Sequence, residues 1–127
     1  MVPPVRVDTG LGCSSCISDD HKAAAAVNRK NRSGYMMLPN GRNYYKEAGY
    51  VEEMEAVEKA LANREREKIP SLLPDRWLAD STLYRTASEV RKGVAAWYEA
   101  GARTPMLVPP SAVGNQMKAF EQLFAIF

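Results

Sequence analysis

The sequence has few of the residues that build disulfide frameworks and zinc sites: two cysteines and one histidine among 127 residues. Two cysteines do not make the framework of a small secreted domain. Cys13, Cys16 and His21 offer three possible zinc ligands where a structural site needs four, so no metal site is expected. His21 has no matched nucleophile nearby, and it is assigned no catalytic role. A thiol or metal protein built on Cys13 and Cys16 is therefore the least favoured hypothesis.

The chain also lacks long apolar runs and a strong net charge. No stretch approaches the roughly 18 apolar residues of a membrane span, and residues 1–4 have no apolar core of a signal peptide. The net charge is +2, with lysine and arginine spread along the chain, so neither nucleic acid nor a membrane is an expected partner. The pair Gly10-x-Gly12 lacks the third glycine of a phosphate-binding loop. We expect a cytoplasmic protein.

The composition that remains is that of an ordinary globular chain. Of the residues, 46% are hydrophobic and 25% are charged, and a chain of this length can bury a core of its own. Neither an internal repeat nor a low-complexity tract divides it. We treat residues 1–127 as one unit.

The segment from Thr86 to Pro110 is the clearest structural unit. Thr86 and Glu89 have the spacing of a capping box, which predicts a helix start. Apolar residues then recur on one helical face, and Gly101 stands where a left-handed residue ends the helix. The apolar run Met106–Val108 between prolines predicts a strand that is buried on both faces, as in a parallel sheet. The spacing places these residues on the buried helical face: Ala87, Val90, Val94 and Trp97.

The rest of the chain predicts more helix than strand. Residues 5–17 show a strand pattern that glycines weaken, and Ser18 is expected to cap a helix whose first turn carries Asp19 and Asp20. The later part of that helix, residues 28–32, is expected to be solvated, and Asn40-Gly41 is expected to form a turn. Further helices are predicted over residues 51–63, after a cap at Asp75, and from residue 115. The last helix carries an apolar stripe that we expect to be core: Met117, Phe120, Phe124 and Phe127.

One cluster stands out as a candidate binding surface. Arg42, Asn43, Tyr44 and Tyr45 place two aromatic rings beside a guanidinium and an amide. Such groups suit a planar ligand with polar edges, so these four residues are candidates for a substrate wall. Packing between helices or subunits also enriches tyrosine and arginine, and this alternative is favoured.

Several short segments, in a fixed order along nearly the whole chain, resemble the C-terminal portion of luciferase-like flavin- or deazaflavin-dependent oxidoreductases. The most specific are Tyr35-x-x-Leu38-Pro39-Asn40 with Glu47-Ala48-Gly49-Tyr50, and the turn Glu99-Ala100-Gly101 before the strand that ends at Pro109. The other segments are Ser18-Asp19-Asp20, Ile69-Pro70, Asp75-Arg76-Trp77 and the whole of residues 86–108. The chain has Arg85 where relatives commonly have glycine before the capping threonine.

The resemblance implies an α/β fold, specifically the C-terminal part of a (β/α)8 barrel that is rich in helix and has few strands. Such barrels take about 250 residues, so the chain would be a single partial domain, with residues 5–17 a late strand and Met106–Val108 the last. The parent would be an oxidoreductase or monooxygenase that acts on a small molecule with FMN or a deazaflavin coenzyme. The chain alone would be inactive and would bind neither cofactor tightly.

Two further expectations follow from the small number of strands. Two predicted strands far apart in sequence do not by themselves make a sheet, so we expect Met106–Val108 to lack parallel neighbours and the chain to form homo-oligomers. The alternative to a barrel portion is a self-standing helical interaction domain without catalysis. The number of predicted helices and the lack of an acid–base or nucleophile set favour that alternative.

Overall fold

The chain forms a small parallel sheet with helices packed against it, as a computed structural model shows for residues 10–127, with residues 10, 11 and 13 described by their backbone alone. The strands are β1 (Gly10–Ile17), β2 (Leu83–Arg85) and β3 (Thr104–Val108). The α-helices are α1 (His21–Ser33), α2 (Pro39–Glu47), α3 (Val51–Ala62), α4 (Ile69–Leu72), α5 (Asp75–Ser81), α6 (Ala87–Glu99) and α7 (Gln116–Phe124), with short 3-10 helices at Gly34–Met37 and Arg66–Lys68. The α/β, helix-rich class is therefore confirmed. The part of the first predicted strand before residue 10 lies outside the described residues.

The strand order is β2-β1-β3, and both pairings are parallel. β3 pairs with the first part of β1, from Gly10 opposite Thr104 to Ser14 opposite Val108. β2 pairs with the last three residues of β1. The prediction that the two distant strands do not pair is wrong, since β1 is the direct neighbour of β3. β2 was not predicted because a three-residue strand is too short to show a periodic pattern.

Helices α1 and α6 cover opposite faces of the sheet. The Ser14 side chain faces α1, because its hydroxyl donates to Asn28 Oδ1 at 2.9 Å. The α6 backbone at Gly93 lies against the Leu83 side chain, and Leu83 is in register with Ser15, which points to the other face. The chain moves along the sheet in one direction from β1 to β2 and in the opposite direction from β2 to β3. Right-handed connections in opposite directions place their helices on opposite faces of a sheet.

The main hydrophobic core lies beside the sheet, where helices α2 to α5 meet. Trp77 is fully buried in it, and the Tyr45 ring packs edge-on against the indole with centroids 5.3 Å apart. These buried residues form the cluster: Met36, Tyr45, Tyr50, Met54, Val57, Ala60, Ile69, Leu73, Trp77 and Leu78. The helical region between β1 and β2 therefore has its own apolar interior.

The predicted boundaries of α6 are confirmed. The Thr86 side chain accepts a hydrogen bond from the Glu89 backbone N–H, and the Glu89 carboxylate accepts one from the Thr86 N–H, so the capping box is complete. Gly101 follows the helix with a φ of 103°, a conformation that favours glycine. Val90 and Val94 are buried, but Trp97 is only half-buried. The fully buried tryptophan is Trp77.

Three predictions at the starts of helices are wrong. Asp20, not Ser18, caps α1: its carboxylate accepts from the N–H groups of Lys22 and Ala23, while the Ser18 hydroxyl accepts from Asp20 N–H. Asn40 and Gly41 lie inside α2, because Pro39 stands in its first turn, where proline needs no N–H partner. Asp75 is the first residue of α5 and does not cap it.

The capping box gives a first prediction. Thr86→Ala is expected to lower the free energy of unfolding by about 1 kcal/mol at neutral pH, because it removes the side chain that satisfies an N–H of the first turn. Denaturant unfolding would measure the change. Ser88→Ala, an exposed position in the same turn, is the control and should change stability by less than about 0.5 kcal/mol.

The effect of Thr86→Ala should depend on pH. The Thr86 hydroxyl, and then its backbone N–H, lower the pKa of the Glu89 carboxyl below its ordinary value, with smaller contributions from His21 and Arg85. A lowered pKa adds stability above the unfolded-state pKa, and that stability is lost as the pH falls through the folded-state pKa. The difference between wild type and Thr86→Ala should therefore shrink in acid. A difference that grows in acid would contradict this role of Glu89.

The predicted burial of β3 and of the stripe on α7 is wrong. Met106 and Val108 are 54% and 60% exposed, because no helix covers the face of β3 next to α1 in the described part of the chain. Parallel strands buried on both faces need helices on both sides, and β3 has α6 on one side alone. Large side chains of the last predicted stripe are exposed as well: Met117, Phe120, Phe124 and Phe127.

Within residues 10–127, none of the helices has the length and apolar character needed to cross a membrane.

Candidate functional site

The four predicted wall residues lie on consecutive positions of α2 and do not share one surface. Tyr45 points into the core, Arg42 is half-buried, and Asn43 and Tyr44 are exposed. Consecutive helical residues point about 100° apart, so four in a row cannot line one side of a ligand.

Arg42 stabilises the packing of α2 on its neighbours. Its Nη1 donates to the Met36 carbonyl at 2.8 Å, and its Nε donates to Glu58 Oε1 at 3.3 Å. Lys46 Nζ lies 2.9 Å from both Glu58 oxygens. Lys46, and then Arg42, lower the pKa of the Glu58 carboxyl. The guanidinium of Arg42 is therefore already occupied by protein groups.

Tyr45 lies in the core and contacts Arg32, a residue of α1 that lines a cavity. Its hydroxyl accepts a hydrogen bond from Arg32 Nη2 at 2.7 Å. Arg32 in turn stacks over the ring of Tyr35, with its guanidinium carbon 4.9 Å from the ring centre. The two tyrosines thus hold the Arg32 side chain in one position.

Arg32 lines a cavity of about 380 Å³ between the end of α1 and β3, which we call the α1–β3 cavity. Its described lining residues are Gly12, Ser14, Asn31, Arg32, Tyr35 and Val108. A second cavity of about 300 Å³ continues from it along the loop after β3 and shares Asn31 and Val108 with it. The volume falls within the range of small-molecule sites, roughly 300–1,000 Å³.

Ser14 is a fixed polar group in the wall of the α1–β3 cavity. Its hydroxyl proton is used in the bond to Asn28 Oδ1, and Asn28 Nδ2 donates to the Leu83 carbonyl at 2.9 Å. The hydroxyl oxygen keeps acceptor capacity. Carboxylate, imidazole and thiol groups are absent from the described lining residues. The arrangement suits binding and offers no acid–base or nucleophile pair.

The thiol and histidine candidates lie elsewhere. Cys16 is buried and free, and burial raises the pKa of its thiol, which disfavours the reactive thiolate. His21 is exposed at the start of α1, with Nε2 3.3 Å from Glu89 Oε2. Within residues 10–127, three or more metal-ligating side chains do not come together. The side chain of Cys13 lies outside the described part.

Arg32 was missed because residues 28–32 were predicted to be solvated. In the structure Asn28 is fully buried, and Arg29 and Arg32 are half-buried. The spacing of Ala24, Asn28 and Arg32 at four-residue intervals puts all three on one face of α1, next to the sheet. That periodicity is the signal in the sequence that could have identified the face.

A scan against models of protein families finds no match, and neither curated proteins nor solved structures show significant similarity to the chain.

Proposed function

We propose that the chain is the C-terminal portion of a luciferase-like oxidoreductase or monooxygenase, whose complete barrel uses FMN or a deazaflavin coenzyme on a small-molecule substrate. The ordered resemblance of its segments supports this proposal. The structural observation that supports it is the pairing of β1, which the resemblance makes a late strand, with β3, which it makes the last: they are parallel neighbours, as adjacent strands of a (β/α)8 barrel are. Adjacent strands of a barrel also follow one another in sequence, whereas β2 comes between β1 and β3 in the chain and pairs with the other side of β1, so the strand order β2-β1-β3 does not support a barrel.

The sheet edges are also compatible with a larger sheet. Within the described residues, residues 105–108 face no strand on their outer side, and β2 pairs only with the last three residues of β1. The exposed Met106 and Val108 side chains and the aromatic side chains of α7 are compatible with further elements or with a homo-oligomer.

A second candidate, a self-standing interaction domain without catalysis, is favoured by the position of α1. The helices of a barrel lie on its outer face, whereas α1 and α6 cover opposite faces of this sheet. Helices on both faces are typical of an open, doubly wound sheet. If the barrel proposal holds, α1 must cover the inner side of the carboxyl half of β1 or change position in the complete protein.

In the proposed barrel, the described residues would supply only part of a flavin site. Among its described lining residues, the α1–β3 cavity has one cationic side chain, Arg32, and these residues come from β1, β3 and the end of α1 with the turn that follows. A flavin would need many more contacts, and other strands would have to supply them. No chemical step is assigned to this chain.

A cofactor titration tests the proposal on the chain itself. Because most contacts would come from missing strands, the isolated chain is expected to bind neither FMN nor a deazaflavin coenzyme with a submicromolar dissociation constant. Quenching or polarisation of cofactor fluorescence would measure this, with riboflavin as the control for stacking without a phosphate. Submicromolar binding by a monomer would contradict the proposed partial site.

A further inference from the structure

Among the residues that the structure describes, Arg32 differs from the other half-buried arginines in having no carboxylate partner. The residues that the structure describes include three half-buried arginines, and two of them are neutralised: Arg29 by Asp75 and Arg42 by Glu58. Arg32 forms no ion pair within residues 10–127. A guanidinium stays charged at any physiological pH, and removing a charge from water is costly unless it is paired.

The contacts that Arg32 does make orient it without neutralising it. The Tyr45 hydroxyl and the Tyr35 ring are uncharged. The Nε atom is fully buried and has no hydrogen-bond acceptor among residues 10–127. The Arg32 Nη1 atom is not buried and has no acceptor within residues 10–127, so the planar guanidinium, held in one position, is suited to a carboxylate or phosphate group.

The other walls of the α1–β3 cavity define the rest of the ligand. The Asn31 amide and the Ser14 hydroxyl are neutral polar groups, while Val108 and the Tyr35 ring offer apolar surface. A site with one cation, few polar groups and apolar walls is typical of small organic ligands. A fully hydrated inorganic anion would gain nothing from Val108.

We propose that the α1–β3 cavity binds a small organic anion, whose carboxylate or phosphate pairs with Arg32 and whose apolar part lies against Val108. The site is built entirely from this chain, so it does not rest on the proposed oxidoreductase function. It would serve equally as a substrate-recognition site in a complete enzyme and as the ligand site of a self-standing domain.

Benzoate is a suitable probe, because it joins a carboxylate to an apolar ring small enough for about 380 Å³. We expect saturable binding with a dissociation constant in the millimolar range or tighter. NMR signals of the arginine Nε–H groups would measure it, and the Arg32 signal should shift most. Neutral benzamide should bind at least about tenfold more weakly, since it lacks the charge. Phenyl phosphate in parallel would show which of the two anionic groups is preferred.

Two matched pairs of variants assign the site. Arg32→Gln should weaken benzoate binding about tenfold or more, whereas Lys30→Gln, an exposed cation on the same helix, should leave it unchanged. Val108→Phe should weaken binding by filling the cavity, whereas Met106→Phe should not. Met106 is similarly exposed on the same strand but does not line the cavity.

The outcomes separate clearly. Thermal melts would show whether each variant is folded. If Arg32→Gln does not fold, the comparison of Val108→Phe with Met106→Phe tests the proposal, because substitutions at these exposed positions should leave the chain folded. Absence of benzoate binding to the folded wild-type chain would overturn the proposal. So would equal binding of benzamide, equal effects of the two cation substitutions, or inorganic phosphate binding as tightly as benzoate.

Discussion

Trp77→Ala is expected to lower the free energy of unfolding by about 3–5 kcal/mol, the usual cost of removing a large aromatic side chain from a core. Trp77 is completely buried and touches the ring of Tyr45 in the centre of the helical core. Its indole N–H has no acceptor in the described part of the chain, so the loss comes from apolar contacts and a cavity, not from a broken hydrogen bond. Denaturant unfolding monitored by circular dichroism would measure it.

Trp97→Ala is the matched control, because it removes the same side chain from a half-buried position on α6. It should cost clearly less than Trp77→Ala, since less apolar surface returns to water. The sequence pattern alone would have made Trp97 the more critical of the two. Equal or reversed effects would show that the helical core is not where the structure places it.

Gly41→Ala is expected to destabilise the chain by about 1–3 kcal/mol, because the site has no room for a methyl group. A Cβ atom at Gly41 would lie 2.3 Å from the carbonyl oxygen of Tyr35. That oxygen belongs to the backbone of the 3-10 helix Gly34–Met37 and cannot move like the end of a flexible side chain. Thermal and denaturant unfolding would show the loss.

Gly34→Ala is the control, because it makes the same glycine-to-alanine change at a helical position without a steric clash. Apart from the adjoining backbone, a Cβ at Gly34 would meet no atom of the described residues within 4 Å, and the φ of −59° suits any residue. Alanine there should be neutral or stabilise by about 0.4–1 kcal/mol, because it restricts the unfolded chain. If Gly41→Ala were equally neutral, the close approach of α2 to the 3-10 helix would be wrong.

Local signals in the sequence predicted both ends of α6. The capping box at Thr86 and the left-handed Gly101 fix both ends of α6 through contacts within a few residues. Asn115 likewise caps α7 with its own side chain. Spacing identified the capping box and the terminal glycine of α6, whereas the caps at Asp20 and Asn115 are equally local but were not predicted.

Features that depend on distant parts of the chain were not predictable in this way. The pairing of β1 with β3 joins segments about 90 residues apart, and long-range pairing leaves no periodic trace in either strand. The exposure of Met106, Val108 and Phe124 depends on which helix covers them. An apolar run indicates a strand or helix but does not say how many of its faces are covered.

For the candidate site too, the sequence predicted local composition but not the contacts made in the folded chain. The sequence drew attention to the aromatic and polar groups at residues 42–45, but their composition could not show that Arg42 is paired with Glu58 and Tyr45 lies in the core. Arg32 was overlooked within a polar stretch. Its importance arises from its contacts with two tyrosines and from the lack of a carboxylate partner in the described residues, and only the folded chain reveals these features.

Cofactor binding after complementation tests the central proposal most directly. The DNA upstream of Met1 would be read for a segment that encodes the earlier strands and helices of a barrel, and that segment would be produced together with this chain. We predict a stable complex that binds FMN or a deazaflavin at least about 100-fold more tightly than the isolated chain, a gain of about 2.7 kcal/mol. An upstream sequence without strand–helix repeats, or a complex that binds neither cofactor better than the chain alone, would contradict the proposal.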